Sequence, residues 1–452
     1  MNYPIARSLA ELVYTLVFVM GIGLVAANRL QAQAAPVREP LWPGARAAVP
    51  FTAPDEEFLD ELQRASFRYF EEQAHPETGL VRDRTRTDGS PSPSKASISA
   101  TGFGLAGWAI ATKRGWVTRE VALERVRRTL RFLVHDAPRH RGFFYHFMEL
   151  DTGAHAWECE LSSIDTALLL TGAIVAREFF EDPEVTSLVN RLYGDADWQW
   201  FLNEGDITAL GWKDEVGFSR YRWSSYSEHM MIPLLGLGSP QPEHALAPAA
   251  WRAWAREPVG SHGGWTYLQG GPLFLHQFTH AYFDFRGVRD AFADYFHNSV
   301  LATLAQRQMC MDLRHEFPAW GERLWGVTAS DSATGYKGWG LPPRTLKDNA
   351  LDGTIVPCAA GGSIPFAPYE TMLTLRHIRM AYGDRVWGRY GFADAFNPHT
   401  GWVNEDVIGI DVGITLLMAE NARSGLVWAL FMQAPEARRA MELAGFLSTE
   451  RD

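Results

Sequence analysis

The chain has 452 residues, of which 46% are hydrophobic and 21% are charged, and its formal net charge is −11. This composition excludes a largely disordered chain, and an acidic balance without a lysine and arginine cluster argues against nucleic acid as a partner. The 17 tryptophans and 13% aromatic residues are more than a core needs. Indole rings favour surfaces that are apolar on one side and wet on the other, and sugar-binding clefts are such surfaces.

The first 34 residues have the layout of a secretory signal. Arg7 precedes an apolar run from Leu12 to Ala27, and the small residues of Ala32-Gln33-Ala34 suit a cleavage site. We therefore predict a signal peptide over residues 1–34 and a periplasmic or secreted protein. The apolar run is shorter than the roughly 20 residues that span a bilayer, so an uncleaved membrane anchor is the weaker alternative.

The three cysteines, Cys159, Cys310 and Cys358, are too few and too scattered for a disulfide scaffold. In an exported protein they permit at most one disulfide, and they argue against a cysteine-based zinc site. We interpret all three as structural thiols.

Residues 35–54 are rich in proline and form a lead-in to a single domain, residues 55–452. Thr52 and Pro54 begin an amphipathic helix whose apolar side chains share one face. These apolar residues are Phe58, Leu59, Leu62 and Phe70.

Beyond this helix, a polar or small-residue entry followed by a nearly all-apolar helix recurs six times. The six segments contain SISATGFGLAGWAI, ELSSIDTALLLTGAIVA, SSYSEHMMIPLLGLG, HQFTHAYFDF, SIPFAPYETMLTLRHI and GIDVGITLLMAEN. Amphipathic segments alternate with them, and strand-like alternation is scarce. Buried helices that alternate with half-exposed ones predict an all-α (α/α)6 barrel, in which the inner-helix N-termini meet at one rim.

Carboxylates are concentrated at the predicted helix entries on this rim. Glu158, Glu160 and Asp165 precede or begin the second inner helix, Glu228 begins the third, and Asp411 begins the last. Asp165 also follows Ser162 at capping-box spacing, so a structural capping role is an equal alternative. An unpaired charge before an apolar helix is costly unless water or substrate surrounds it, which makes Glu228 and Asp411 candidate catalytic residues.

Two carboxylates that flank one bond suit glycoside hydrolysis, in which one donates a proton and the other activates water. Aromatic residues in loops or helix entries supply stacking faces for sugar rings, among them Trp157, Trp223, Tyr226 and Trp325. His276 and His280 are one helical turn apart, but the glutamate of a zinc protease motif is missing after His276. We predict no metal and assign both histidines to hydrogen bonds with substrate or core. No phosphate-binding or dinucleotide motif is found.

Several runs resemble the bacterial glycoamylase-like domain, whose members include endo-β-1,2-glucanases of glycoside hydrolase family 144. The runs are GFFYHFMELDTG, ELSSIDTALLLTGA, YSEHMMIPLLGLGS, GPLFLHQFTHAYFDFRGVRDA, WGVTASD, DGTIVPCAAGGSIPFAP, YGDRVWGRYGFADAFNP and GIDVGITLLMAEN. The resemblance covers about residues 55–440.

The resemblance implies an (α/α)6 barrel that hydrolyses β-1,2-glucosidic bonds with inversion and without a cofactor. The acid of the family's Y-x-E segment, here Glu228, resembles the general acid, and the acid of G-I-D-x-G, here Asp411, resembles the base. The substrate, a polysaccharide or oligosaccharide, is then expected to contact the remaining rim residues. These are Trp157, Glu158, Glu160, Asp165, Trp223, Tyr226, His276, His280, Trp325 and Asp352.

Three alternatives stay open at this point. In the first, the substrate is another glucan or an exopolysaccharide. In the second, the chain binds polysaccharide without cleaving it. A polysaccharide lyase on the same fold is disfavoured, because uronate substrates call for a basic groove and the chain is acidic.

Overall fold

Helices of two kinds alternate along the chain in the computed structural model, which describes residues 51–90, 92–342 and 351–449. The predicted signal peptide and the lead-in up to residue 50 lie outside these residues. The α-helices are α1 Ala53–Glu72, α2 Ile98–Lys113, α3 Arg119–His135, α4 Ser163–Phe180, α5 Pro183–Asp195, α6 Trp198–Leu202, α7 Met231–Gly238, α8 Ala249–Ala253, α9 Tyr295–Asp312, α10 Pro357–Gly361, α11 Pro368–Tyr382, α12 Gly409–Ser424, α13 Leu426–Phe431 and α14 Pro435–Ala444.

The strands are short and lie in the loops. They are β1 Arg84–Arg86, β2 Ala96–Ser97, β3 Arg139–His140, β4 Phe143–Phe144, β5 Phe147–Met148, β6 Leu161–Ser162, β7 Gly211–Lys213, β8 Gly217–Phe218, β9 Val259–His262, β10 Trp265–Leu268, β11 Val288–Arg289, β12 Ala329–Ser330, β13 Lys337–Gly338, β14 Trp387–Gly388, β15 Gly391–Phe392, β16 Asp406–Ile408 and β17 Leu447–Ser448. All their pairings are antiparallel, and β6, β7 and β8 form a three-stranded sheet.

The inner ring consists of α2, α4, α7, α10 and α12, with 3₁₀ turns that complete it. Every residue of α2 from Ile98 to Ala111 and of α4 from Ser163 to Arg177 is buried, as an all-apolar helix requires. The 3₁₀ turn Glu228–Met230 leads into α7, and the turns Leu273–His276 and Thr279–Ala281 lie between α7 and α10. The predicted all-α double ring is therefore confirmed.

The outer helices cover this ring with one apolar face each. In α1, Thr52 and Asp55 form a reciprocal capping box, and the predicted face of Phe58, Leu59, Leu62 and Phe70 is buried. Among the described residues, none of the helices is both long and apolar enough to cross a membrane.

Two of the predicted inner helices are wrong in detail. The segment HQFTHAYFDF forms no α-helix: it begins at the end of the 3₁₀ turn Leu273–His276 and contains the turn Thr279–Ala281, because its crowded aromatic side chains favour the helical conformation poorly. The fifth inner helix is the short α10, upstream of SIPFAPYETMLTLRHI. Pro365 and Pro368 lack the N–H groups that a continuous helix needs, so the chain turns there and α11 begins afresh as an outer helix.

The tightest contact of the inner ring joins α2 to α4 through glycine. A Cβ atom added to Gly172 would lie 1.9 Å from the carbonyl oxygen of Gly102, and one added to Gly102 would lie 2.4 Å from the carbonyl oxygen of Leu168. The two backbones touch, and no side chain fits between them.

We predict that Gly172→Ala lowers the free energy of unfolding by at least about 2 kcal/mol. Overpacking against rigid backbone outweighs the roughly 1 kcal/mol that alanine gains as a helix former. Chemical denaturation measures the loss. Gly321→Ala is the matched control, since a Cβ atom there meets nothing within 4 Å. Equal stabilities of the two variants would contradict the proposed backbone contact.

Candidate active site

The N-terminal ends of α2, α4 and α12 are held together by a network of short strands. β1 pairs with β16 just before α12, and a bridge from Arg82 to Ala96 joins this pair to β2, which precedes α2. β2 pairs with β5, and a bridge from Tyr145 to Leu161 reaches β6, which precedes α4. The helix N-termini and the acids beside them therefore share one rim, as the sequence predicts.

Glu228 is a buried acid at the start of the third inner segment. Its side chain is in the interior, and its Oε2 has no hydrogen-bond partner among the described residues. Burial, followed by the negative charge of Asp165, raises the pKa of Glu228 to about 8. Glu228 is thus a neutral acid at pH 7 with a proton to donate.

A histidine that the sequence analysis did not single out joins two of the predicted rim acids. His146 Nδ1 lies 3.2 Å from Glu160 Oε1, and its Nε2 lies 3.6 Å from Asp165 Oδ1. Burial alone lowers the pKa of His146, but the charge of Asp165 and the hydrogen bond with Glu160 outweigh it and raise that pKa to about 9. The ring is therefore an imidazolium at neutral pH, and its charge lowers the pKa of Glu160 despite burial.

Asp165 is fixed from three sides. Its backbone N–H bonds to Ser162 Oγ, its Oδ2 accepts a 2.5 Å hydrogen bond from the Ser162 hydroxyl, and its Oδ1 accepts one from the Ser99 hydroxyl. Ser162 therefore caps α4 through the Asp165 N–H, but the Asp165 carboxylate accepts from the Ser162 hydroxyl and not from its backbone N–H, so the cap is not the reciprocal capping box that the spacing predicts. The cap coexists with the contact to His146.

Donor atoms of His146, Glu160 and Asp165 all lie within 4.8 Å of one another, which makes this the set to consider for a metal. The two nitrogens of the ring contact different carboxylates, however, and one imidazole offers one nitrogen to one ion. The arrangement fits a cation between two anions better than a metal centre.

Asp411, in the first turn of α12, is partly exposed and lies against the buried carboxyl group of Asp394. Burial raises the pKa of Asp411, whereas hydrogen bonds with Asp394 and the Cys358 thiol lower it, and the resulting pKa is about 6. The pKa of Asp394 is raised well above its usual range by burial and by the charge of Asp411. Asp411 is thus ionised at pH 7.

An ion-pair network surrounds this pair. Arg84 Nη1 lies 2.8 Å from Asp331 Oδ2, and its Nε lies 3.2 Å from Asp83 Oδ2. Asn404 Nδ2 donates to Asp331 and to Asp394, at 3.0 Å each. A small cavity of about 20 Å³ adjoins Asp394 and Asp411, which is room for about one water next to the ionised acid.

Trp157 and Glu158 project from the rim loop. Trp157 is 52% exposed and packs its edge on Phe147, and the two residues have φ values of 56° and 52°. Two consecutive residues other than glycine in the left-handed region are uncommon, and such backbone strain is concentrated at functional sites. Trp157 offers an open aromatic face next to the acids of the rim.

The other predicted aromatic contacts are interior. Trp223 is 1% exposed, donates from Nε1 to Ser163 Oγ and stacks on His229. The Tyr226 hydroxyl oxygen lies 3.1 Å from His276 Nδ1, and His276 Nε2 lies 2.9 Å from the carbonyl oxygen of Gln269. These residues support the segment that carries Glu228, and direct sugar contacts by them stay a prediction.

Three further predicted residues lie apart from the acids or within the core. Trp325 is completely buried, and buried His280 contacts Ser299 Oγ through Nε2. Burial lowers the pKa of His280 to about 3, so this ring is neutral. Asp352 accepts a hydrogen bond from the backbone of Thr354, which is a turn-forming contact. All three cysteines are free and buried.

Sequence reasoning missed His146 and Asp394, although both lie within runs that carry the family resemblance. His146 is the only side chain in FFYHFM whose ordinary pKa lies near neutral pH, and Asp394 interrupts the apolar stretch GFADAF. A buried polar residue among apolar ones was the available signal.

An inner ring of buried helices with a neutral and an ionised acid at one rim defines a barrel of the glycoside hydrolase type. The glycoamylase family model, described as "Putative glucoamylase", matches residues 220–435. The solved structure of a protein of that description from Bacteroides uniformis ATCC 8492 is 30% identical, with a TM-score of 0.81, and the match covers 88% of this chain and 99% of that one. The chain belongs to the glycoamylase-like family.

Relatives with named activities are also similar. An endo-β-1,2-glucanase from Chitinophaga pinensis, solved with sophorotriose and glucose, is 26% identical over 87% of this chain and 99% of its own, with a TM-score of 0.80. An exo β-1,2-glucooligosaccharide sophorohydrolase from Parabacteroides distasonis is 27% identical over 437 residues. That match covers 88% of this chain and 59% of the sophorohydrolase.

We predict that His146→Gln lowers the free energy of unfolding by up to about 3 kcal/mol at pH 6. The folded pKa of His146 is raised to about 9, so its contribution is fully present below about pH 6.5 and is lost as the pH rises through 9. Denaturation at pH 6 and at pH 9.5 measures both values.

His315→Gln, at a ring whose side chain is 73% exposed, is the control and should change little. A His146→Gln loss that is equal at the two pH values would contradict an imidazolium between the acids.

Proposed function

We propose that the chain is a glycoside hydrolase that cleaves β-1,2-glucan or its oligosaccharides by an inverting, two-carboxylate mechanism. The observation that carries the proposal is the opposite protonation of two acids at inner-segment N-termini: Glu228, close to Asp165, is neutral, and Asp411, at the start of α12, is ionised. Environments that hold two carboxyl groups in opposite protonation states at pH 7 mark the acid and the base of a hydrolase.

Each residue then has a defined task. Glu228 gives its proton to the oxygen of the leaving sugar as the glycosidic C–O bond breaks. Asp411 takes a proton from a water whose oxygen forms the new bond to the anomeric carbon, directly or through a sugar hydroxyl. Protons and charge balance over the reaction, because Glu228 loses one proton and Asp411 gains one. Asp165, which His146 holds in place, keeps a negative charge near Glu228 and so favours the protonated form that the first step needs.

The choice of substrate is supported by the relatives. Both named relatives act on β-1,2-linked glucose, one as an endo-glucanase and one as an exo-acting sophorohydrolase. The exposed face of Trp157 suits stacking against a pyranose ring. Glu158 and Glu160, next to it along the chain, suit hydrogen bonds to sugar hydroxyl groups. We propose a location outside the cytoplasm on the basis of residues 1–34.

We predict that the full chain releases short β-1,2-linked oligosaccharides from linear β-1,2-glucan and none from β-1,3-glucan, β-1,4-glucan or starch. Glu228→Gln and Asp411→Asn should each lower kcat by about 10²- to 10⁴-fold or more, the usual contribution of a general acid or base. Chromatography of the products measures linkage, product length and rate.

The exposed variants Glu322→Gln and Asp384→Asn are the matched controls and should keep wild-type turnover. Cleavage of another glucan alone would support the second substrate class. Binding of β-1,2-glucan in calorimetry without products would point to a binding protein, and wild-type turnover of Glu228→Gln or Asp411→Asn would overturn the assignment.

We predict a bell-shaped dependence of kcat/KM on pH. Below about pH 6 the rate falls because Asp411 becomes protonated and no longer accepts a proton. Above about pH 8 it falls because Glu228 loses the proton that it must donate. Initial rates from pH 4 to pH 10 test the profile, and activity that keeps rising beyond pH 9 would contradict Glu228 as the acid.

A further inference from the structure

The carboxyl group of Asp394 is buried and has no assigned task in the reaction. Asp394 follows β15 and is 3% exposed. Its carboxyl group is in hydrogen-bond contact with that of Asp411, which is partly exposed at the start of α12, and both residues line the same small cavity. Two ionised carboxylates in hydrogen-bond contact repel each other strongly in a buried site. One proton must therefore lie between them.

The hydrogen bonds of Asp394 identify the oxygen that carries this proton. Its Oδ2 accepts hydrogen bonds from the backbone N–H of Asp331 and from the side-chain amide of Asn404, both at 3.0 Å. Its Oδ1 is buried and receives no donor from any described residue. A neutral carboxyl group matches this pattern, with Oδ2 as the carbonyl oxygen and Oδ1 as the hydroxyl directed at Asp411.

The surroundings favour the negative charge on Asp411. It is the less buried of the two, and the first turn of α12 places it at the positive end of the helix dipole. The Cys358 thiol also hydrogen-bonds to it. Further ionisable groups act on the pair from the neighbouring elements, and most of them are acidic: Asp83, Arg84, Asp331, Tyr336 and Asp406.

We propose that Asp394 is a permanently protonated positioning residue whose hydroxyl donates a hydrogen bond to Asp411 and so keeps that carboxylate ionised and aimed at the nucleophile. The proposal rests on the role of Asp411 in the proposed function. The Asp394 proton stays in place during turnover, and no bond to it is broken.

The asparagine variant separates this role from that of a base. In Asp394→Asn, the amide oxygen accepts from Asp331 and Asn404 while the amide nitrogen donates to Asp411, as the protonated acid does. We expect kcat/KM within about tenfold of wild type, the scale of one hydrogen bond, and an unchanged acid limb of the pH profile. Asp394→Ala should lose more than tenfold and shift the acid limb upward, because Asp411 loses a donor to its charged form.

A decrease of kcat/KM in Asp394→Asn as large as that in Asp411→Asn would overturn the proposal and make Asp394 the base. An acid limb that moves downward in Asp394→Asn would also overturn it, because that shift means the removal of a negative charge. Asp384→Asn, at an exposed site, controls for the amide substitution and should match wild type.

A second measurement does not depend on catalysis. Above the unfolded pKa of about 3.9, the Asp394 carboxyl group ionises in the unfolded chain but stays protonated in the folded protein. The wild type therefore loses stability as the pH rises, and Asp394→Asn, which has no such proton, does not. The Tm of Asp394→Asn minus that of wild type should therefore increase from pH 4 to pH 7. A decrease over this range would show an ionised Asp394 and overturn the inference, even if no tested glucan were cleaved and the proposed function itself had failed.

Discussion

The cost of burying charge next to an all-apolar helix ring is the constraint on which this site depends. The inner helices expose almost nothing along their length, and the charges buried towards their C-terminal ends are ion-paired, Arg177 with Glu436 and Glu420 with Arg114. The acids of the site lie instead at the N-terminal ends. Backbone N–H groups and the helix dipole stabilise anions there. The fold thereby collects carboxyl groups at one rim and withdraws them from water, which is the condition for separating their pKa values.

Each of the two acids receives its protonation state from a different kind of neighbour. Glu228 lies near the charge of Asp165 and has an oxygen to which no described residue hydrogen-bonds, so the neutral form is favoured. Asp411 accepts hydrogen bonds at a helix N-terminus, so the ionised form survives burial. The imidazolium of His146 offsets part of the negative charge that accumulates between them. The protonation states at the site therefore depend on the neighbouring charges and hydrogen bonds, and not on the two acids alone.

Aromatic residues serve this environment in two ways. Trp223 and Tyr226 are buried behind the segment that carries Glu228, where their polar atoms bind Ser163 and His276. Trp157 alone among the predicted stacking residues has a largely open face. The abundance of tryptophan was a sound indication of the class of protein, but it did not distinguish the rings that shape the site from the ring that faces solvent.

The sequence by itself predicted the double ring, because apolar periodicity and helix entries are local patterns, and it singled out Glu228 and Asp411 as candidate acids at those entries. The 3₁₀ turns at Leu273–His276 and the displacement of the fifth inner helix to α10 depend on crowding and on prolines whose effects are decided by neighbours. Only the tertiary structure brought His146 to Asp165 and Asp394 to Asp411. These contacts join residues from separate loops, and a pKa depends on distance and burial, which no local pattern contains.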